Sequence, residues 1–193
     1  MPMKTLILYC HPNPGSFNHA ILESLEAELK KKHEVVLRDL YAMGFDPVLK
    51  QTDFEAQAKG SAPADVAEER KHVVWAELIV LVAPVWWAGF PALLKGYIDR
   101  VFAQGFAFEF TPLGPKGLLG GKKVLIIQTT ASPESMFDHS GLRKSLDMIL
   151  EDATFKFCGL EVAGHKYFFG VPTVSDKDRK AMLKEVKALV KAL

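Results

Sequence analysis

The chain has 193 residues, 49% hydrophobic and 24% charged, enough for one well-buried domain over residues 1–193 and short for two. With 24 basic against 23 acidic side chains and a net charge of +1, it offers no field for nucleic acid and no polybasic membrane patch. The apolar stretch in MPMKTLILYCHP, about six residues, is too short for a signal peptide or a bilayer span, so a cytoplasmic protein without membrane insertion is expected.

KTLILYC, Lys4 to Cys10, is a short β-type run, and FNHAILESLEAELKKK after it carries Phe17, Ile21, Leu22, Leu25 and Leu29 at helical spacing. HEVVLRDL, His33 to Leu40, alternates in part, as an edge or near-edge strand does. Tyr41 to Ser61 yields no clear assignment. APADVAEERKHVVWA reads as a helix with Pro63 in its early turn. It feeds ELIVLVAPV, Glu77 to Val85, whose continuous apolar character fits a central strand buried on both faces. PALLKGYIDRVF is a helix opened by Pro91 in its first turn, with Leu94, Ile98, Val101 and Phe102 on one face.

A long connection, AQGFAFEFTPLGPKGLLGGK, precedes a fourth strand in KVLIIQTTA. SPESMFDHSG reads as a polar loop, Leu142 to Phe157 as a helix, and LEVAGHKYFFG as a fifth strand. The last helix takes Ser175 as N-cap with Asp178 three residues on, and buries Met182, Val186, Leu189, Val190 and Leu193. Five strands alternating with five helices predict a doubly wound parallel α/β sheet of flavodoxin-like order 2-1-3-4-5, helices on both faces. Cys10 and Cys158 lie far apart, form no zinc spacing and read as reduced core thiols, so no metal centre is expected.

In such a sheet the loops after strands one, three and four emerge at one carboxyl edge. HPNPGSFN leads into a helix N-terminus, whose free amides and dipole favour an anion, with His11, Ser16 and Asn18 at hand. Helix capping alone would also explain the Ser and Asn. PVWWAGFP offers two tryptophans as a wall for a flat ligand, against the alternative of core packing. Thr129, Thr130, Ala131 and Ser132 offer hydroxyls and amides to a polar ring edge. No GxGxxG or Walker pattern is present, which disfavours a Rossmann dinucleotide grip or an NTPase. An anion grip, an aromatic wall and a hydrogen-bonding loop together meet the needs of a flavin mononucleotide moiety.

HPNPGSFNHA, LRDLYAMGFDPVL, PVWWAGFPALLKGYIDRVF, GFAFEF and TTASPESMFDHSG resemble the NAD(P)H:quinone oxidoreductase (DT-diaphorase) family, in its short bacterial form. The resemblance covers nearly the whole chain. It implies a homodimer with flavin sites at the subunit interface and ping-pong hydride transfer from NAD(P)H through the flavin to a quinone-like acceptor. On that pattern His11, Ser16, Phe17 and Asn18 bind the phosphate side. Pro84, Val85, Trp86, Trp87 and Ala88 flank the ring, with Trp87 beside the reacting face, and Thr129, Thr130, Ala131 and Ser132 hold the polar edge.

Asp176 and Arg179 fall where the family holds the adenosine diphosphate part of FAD, which favours FAD over FMN; both residues also suit an exposed first helical turn. Phe108 and Phe110 occupy positions of substrate-closing tyrosines supplied by the partner chain, and they lack the hydroxyls. The Tyr and His with which the family offsets charge near flavin N1 and O2 fall at Phe137 and Arg143. A cationic Arg143 is expected to take that role, with His139 as a nearby alternative. Two other functions compete: a regulatory flavoprotein subunit of a potassium-efflux antiporter, and a flavodoxin-type electron carrier. Carriers are usually strongly acidic, unlike this chain.

Overall fold

The computed structural model describes residues 2–192. In chain order its first half comprises β1 (Lys4–Tyr9), α1 (Phe17–Leu29), β2 (Glu34–Asp39), α2 (Gln51–Ala58), α3 (Ala64–Trp75), β3 (Leu78–Pro84) and α4 (Ala92–Val101). The second half comprises β4 (Phe108–Thr111), β5 (Gly114–Gly117), β6 (Lys123–Thr129), α5 (Glu134–His139), α6 (Leu142–Asp147), a π-helix (Met148–Lys156), β7 (Glu161–Phe168) and α7 (Asp176–Lys191).

Five strands form one parallel sheet in the order β2-β1-β3-β6-β7, the flavodoxin-like arrangement expected from the alternation of elements. All seven residues of β3 are buried. Strand alternation divides them: Leu78, Val80 and Val82 join Ile21, Leu25, Val186 and Val190 of α1 and α7 on one face. Ile79, Leu81 and Ala83 join Val66, Leu94, Ile98 and Leu150 on the other. Each buried Leu, Ile or Val contributes about 1.5–3 kcal/mol by leaving water, which is why the two layers clamp this strand. β2 lies at the sheet edge, with most of its residues only half-buried.

The helix faces fall as their spacing predicts. Ile21, Leu22, Leu25 and Leu29 are buried with Phe17 packed against them, and so are Leu94, Ile98, Val101 and Phe102. Both cysteines are free and buried, and burial pushes the Cys10 thiol up to about 12. Pro63 and Pro91 each sit at the N-cap, one residue before the expected first turn. Ser175 and Asp178 close a capping box on α7, where Val186 and Val190 are buried and Met182 and Leu189 half-buried. Leu193 lies outside the described residues.

Four parts of the chain depart from the sequence reading. Tyr41 to Ser61 contains α2, whose one buried residue is Asp53, so no apolar period announces it. The long connection before β6 folds into the antiparallel hairpin β4–β5. Gly117 in that hairpin lies so close to Gly159 that a Cβ would stand 2.3 Å from the Gly159 amide nitrogen. SPESMFDHSG is not an open loop: α5 forms within it, with Phe137 buried inward. Finally, the helix from Leu142 opens into a π-helix at Met148, where the Thr154 hydroxyl donates to the Ile149 carbonyl five residues back.

Candidate functional site

The loops after β1, β3 and β6 meet at the carboxyl edge of the sheet, joined by direct bonds. Asn18 Nδ2 at the start of α1 donates to Thr129 Oγ1 at the end of β6, 2.8 Å away and buried. Val85 N donates to the Thr129 carbonyl at 2.8 Å, linking the second loop to the third. The His11 and Trp86 rings lie 5.9 Å apart between centroids, linking the first to the second.

The first loop presents unpaired donors. Asn13 folds it, accepting from Gly15 N, and Ser16 Oγ accepts from His19 N as the α1 cap. The amides of Phe17 and Asn18 make no hydrogen bond among the described residues, as is usual for the first turn of a helix. His11 Nδ1 accepts from Asn13 N, and partial burial holds its imidazole below the ordinary pKa, favouring a neutral ring. The Phe17 ring instead turns toward Phe168, 6.4 Å away, and contributes to the core.

The second loop is a tight turn in which Trp86 and Gly89 exchange N–H to carbonyl bonds in both directions. Its central residues, Trp87 at φ 49° and Ala88 at φ 54°, occupy the left-handed region without being glycine. Each such residue costs on the order of 1–3 kcal/mol, and strain of this kind gathers at ligand sites. The turn lifts Trp87 fully into solvent while Trp86 keeps 40% of its surface exposed. Pro84 is buried beneath them, Val85 is half-buried and Ala88 exposed.

In the third loop Thr129 and Thr130 are buried, Ser132 is half-buried and Ala131 exposed. Thr130 Oγ1 donates to the Ser132 carbonyl at 2.6 Å, and Gly170 N donates to the same carbonyl. Val171 N donates to the Thr130 carbonyl, and Arg179 Nη1 donates to the Val171 carbonyl at 3.0 Å. Arg179 also donates to the Val174 carbonyl and pairs with the exposed Asp176, so it braces the turn into α7.

Phe137 is 3% exposed and packs on Tyr167 and Phe169. Arg143 lies over the Phe169 ring at 4.7 Å, donates from Nε to Asp138 at 2.6 Å and from Nη2 to Glu134 at 2.7 Å. The bond to Asp138, then that to Glu134, raises its pKa further above neutrality. Its Nη1 makes no hydrogen bond among the described residues. His139 is exposed at the end of α5. Phe108 and Phe110 are not gathered with the rest: their ring partners are each other and Phe157, none on the three loops.

The sequence reading missed Glu134 and Asp138, because a segment taken as loop gave no reason to place residues four apart on one helical face. It also missed His165, Gln128, Tyr167, Asp147 and Glu151, a polar group between β6, β7 and the π-helix. The alternation of His165 and Tyr167 along β7 is the signal that could have found it.

Three features of this edge fit a flavin. The free amides suit a phosphate, and the exposed indoles suit a ring. Asn18 Oδ1, buried without a partner, suits a hydroxyl donor. Among the described residues no helix is long and apolar enough to cross a membrane.

A family profile described as a flavodoxin-like fold matches residues 3–191. An uncharacterised NAD(P)H oxidoreductase of Haemophilus influenzae is 37% identical over 94% of this chain and 91% of its own. The ribosyldihydronicotinamide dehydrogenase [quinone] of Mus musculus is 32% identical over 93% of this chain and 87% of its own. The crystal structure of Smu.1420 from Streptococcus mutans UA159 superposes with a TM-score of 0.90 at 34% identity, covering 99% of this chain and 100% of the other. With matches of this extent, the chain belongs to the flavodoxin-like family that includes the NAD(P)H:quinone oxidoreductases.

Proposed function

We propose that the chain is a flavin-dependent NAD(P)H:quinone oxidoreductase, with FAD as the preferred flavin and a homodimer as the working form in the cytoplasm. The observation that carries this reading is the bonded convergence of three loops, with free amides at the α1 start and uncovered indoles above them. When bound, the flavin supplies two-electron chemistry, accepting hydride from NAD(P)H and delivering it to a quinone-like acceptor in alternation.

The chain's own residues hold and tune that group. The Phe17 and Asn18 amides, with Ser16 and His11, bind the phosphate; a neutral His11 donates from Nε2 without bringing a second charge. Trp86, Trp87 and Ala88, over Pro84 and Val85, would flank a bound flavin ring, which would in turn cover the exposed indoles. Thr129, Thr130, Ala131 and Ser132 hold the polar edge. With Glu134 and Asp138 fixing its plane, Arg143 would have Nη1 left to stabilise the negative charge of a bound, reduced flavin; His139 is the other candidate for that role. Phe137 supports Arg143 from below through the shared aromatic stack.

Asp176 and Arg179 fall where the family resemblance puts the adenosine diphosphate part of FAD, and this supports FAD over FMN. Trp87, Phe110 and Leu113 stand fully or mostly exposed, and Val48, Leu49 and Phe54 nearly half or more. Apolar surface of this kind supports a partner copy, which would bring its own Phe108 and Phe110 to the pocket. The near-neutral charge and the named relatives favour the enzyme over an electron carrier or an antiporter subunit.

Anaerobic stopped-flow tests the reading. Mixing the holoenzyme with NADH or NADPH should bleach the flavin, and a quinone should then restore it at a rate independent of residual nicotinamide. Arg143→Ala should slow the bleaching about tenfold, the worth of one charge-assisted hydrogen bond. An unchanged rate would remove Arg143 from the reaction.

A further inference from the structure

A second polar cluster lies between β6, β7 and the π-helix, and the flavin reading leaves it unused. The His165 side chain is 3% exposed, with Nε2 3.0 Å from Gln128 Oε1 on β6. Its Nδ1 lies 3.2 Å from Glu151 Oε1 and 3.4 Å from Asp147 Oδ1. Tyr167, two residues on and stacked on the imidazole at 4.2 Å, donates its hydroxyl to Asp147 at 3.0 Å. Asp147 and Glu151, four residues apart at the α6 to π-helix junction, share one face.

In the tautomer whose Nε2–H donates to Gln128 Oε1, the Nδ1 lone pair faces the Glu151 and Asp147 carboxylates, with the Tyr167 hydroxyl 3.4 Å away, and leaves between them a gap that a cation would fill. Neighbouring cations do not fill the gap: Arg143 is bound to Glu134 and Asp138, and Lys156 reaches Glu151 only at the other oxygen, at 3.5 Å. The fully buried Gln128 also keeps its Nε2 without a partner.

Three lone-pair donors from His165, Asp147 and Glu151 lie within 4.8 Å of one another. With zinc-to-ligand bonds of 2.0–2.1 Å, neighbouring ligands of a tetrahedral ion stand about 3.4 Å apart. The two separations from His165 Nδ1, 3.2 and 3.4 Å, match that edge. A histidine whose other nitrogen donates to a carbonyl oxygen, here that of Gln128, is held in the tautomer and orientation of a metal ligand.

We propose that Asp147, Glu151 and His165 form a divalent-cation site of the zinc class, with water in the fourth position. One imidazole with two carboxylates suits Zn²⁺ better than Mg²⁺ or Ca²⁺, which prefer all-oxygen shells. Side-chain exposure of 37% at Asp147 gives the ion its way in. Bound there, it ties the π-helix to β7. The site is independent of the flavin reading.

Titrating the chelator-treated full chain with ZnCl2 by calorimetry tests it, with the visible absorption of Co²⁺ as a report on geometry. One ion per chain should bind and raise the melting temperature. Asp147→Asn and Glu151→Gln should each weaken binding at least tenfold, a loss known even for outer-shell changes, and leave bound flavin unchanged. Asp147 is partly exposed, so its amide variant keeps the test available should His165→Gln fail to fold. Absence of Zn²⁺ binding, or binding that survives both carboxylate variants undiminished, overturns the site.

Discussion

β3 and α2 bury opposite kinds of residue. β3 sinks seven apolar residues between two helical layers, whereas the one side chain that α2 buries is the Asp53 carboxylate. Asp53 is held by Arg100 of α4, itself 4% exposed, through a 3.0 Å bond from Nε. The same guanidinium donates to the Asp46 carbonyl at 2.8 Å and to Asp65 at 2.6 Å, so one cation ties three points of the chain to α4. Apolar burial is additive and forgiving, while an ionic anchor fails as a unit when its centre is lost.

The largest effect should therefore come from Arg100→Ala, which leaves the Asp53 carboxylate buried without its cation. A loss of about 3–5 kcal/mol is expected in urea unfolding. A loss below that of an ordinary core truncation would show that apolar contacts hold residues 41–61 after all. Gly96→Ala attacks the same junction by volume, since a Cβ there would stand 2.3 Å from the Pro47 carbonyl oxygen and 2.7 Å from its Cα. Backbone cannot rotate away as a side chain can, and a cost of about 3 kcal/mol is expected in the same assay.

The contrast also explains what was legible in the sequence. β1, β3, β6, α1, α4 and α7 announce themselves because each carries its own apolar period, and a period needs no knowledge of the partner. The sheet order followed from those elements, and with it the edge at which three loops had to meet. α2 gave no such sign, for Asp53 finds its reason 47 residues away in Arg100. The same blindness struck the site: Arg143 was readable as a cation, but Glu134 and Asp138 were not readable as its clamp while α5 passed for loop. His165 and Gln128 were missed for the same cause, as polar residues inside strands expected to be apolar.

A smaller effect, of opposite sign, separates the strained loop from both packed regions. Ala88→Gly removes the penalty of a left-handed non-glycine residue and should stabilise the fold by about 1 kcal/mol. Turnover with NAD(P)H and a quinone should fall at the same time, because the turn that lifts Trp87 loses its rigidity. Higher stability with full turnover would mean that the strain serves no purpose at the site.

The central claim is that a flavin lodges where the loops after β1, β3 and β6 converge. The most direct measurement is the visible spectrum of the purified chain, followed by denaturation and chromatography of what is released. About one yellow flavin per chain is predicted, recovered as FAD and lost on replacing Asn18 and Trp86 together. A colourless protein that takes up neither FAD nor FMN when they are added would contradict the account.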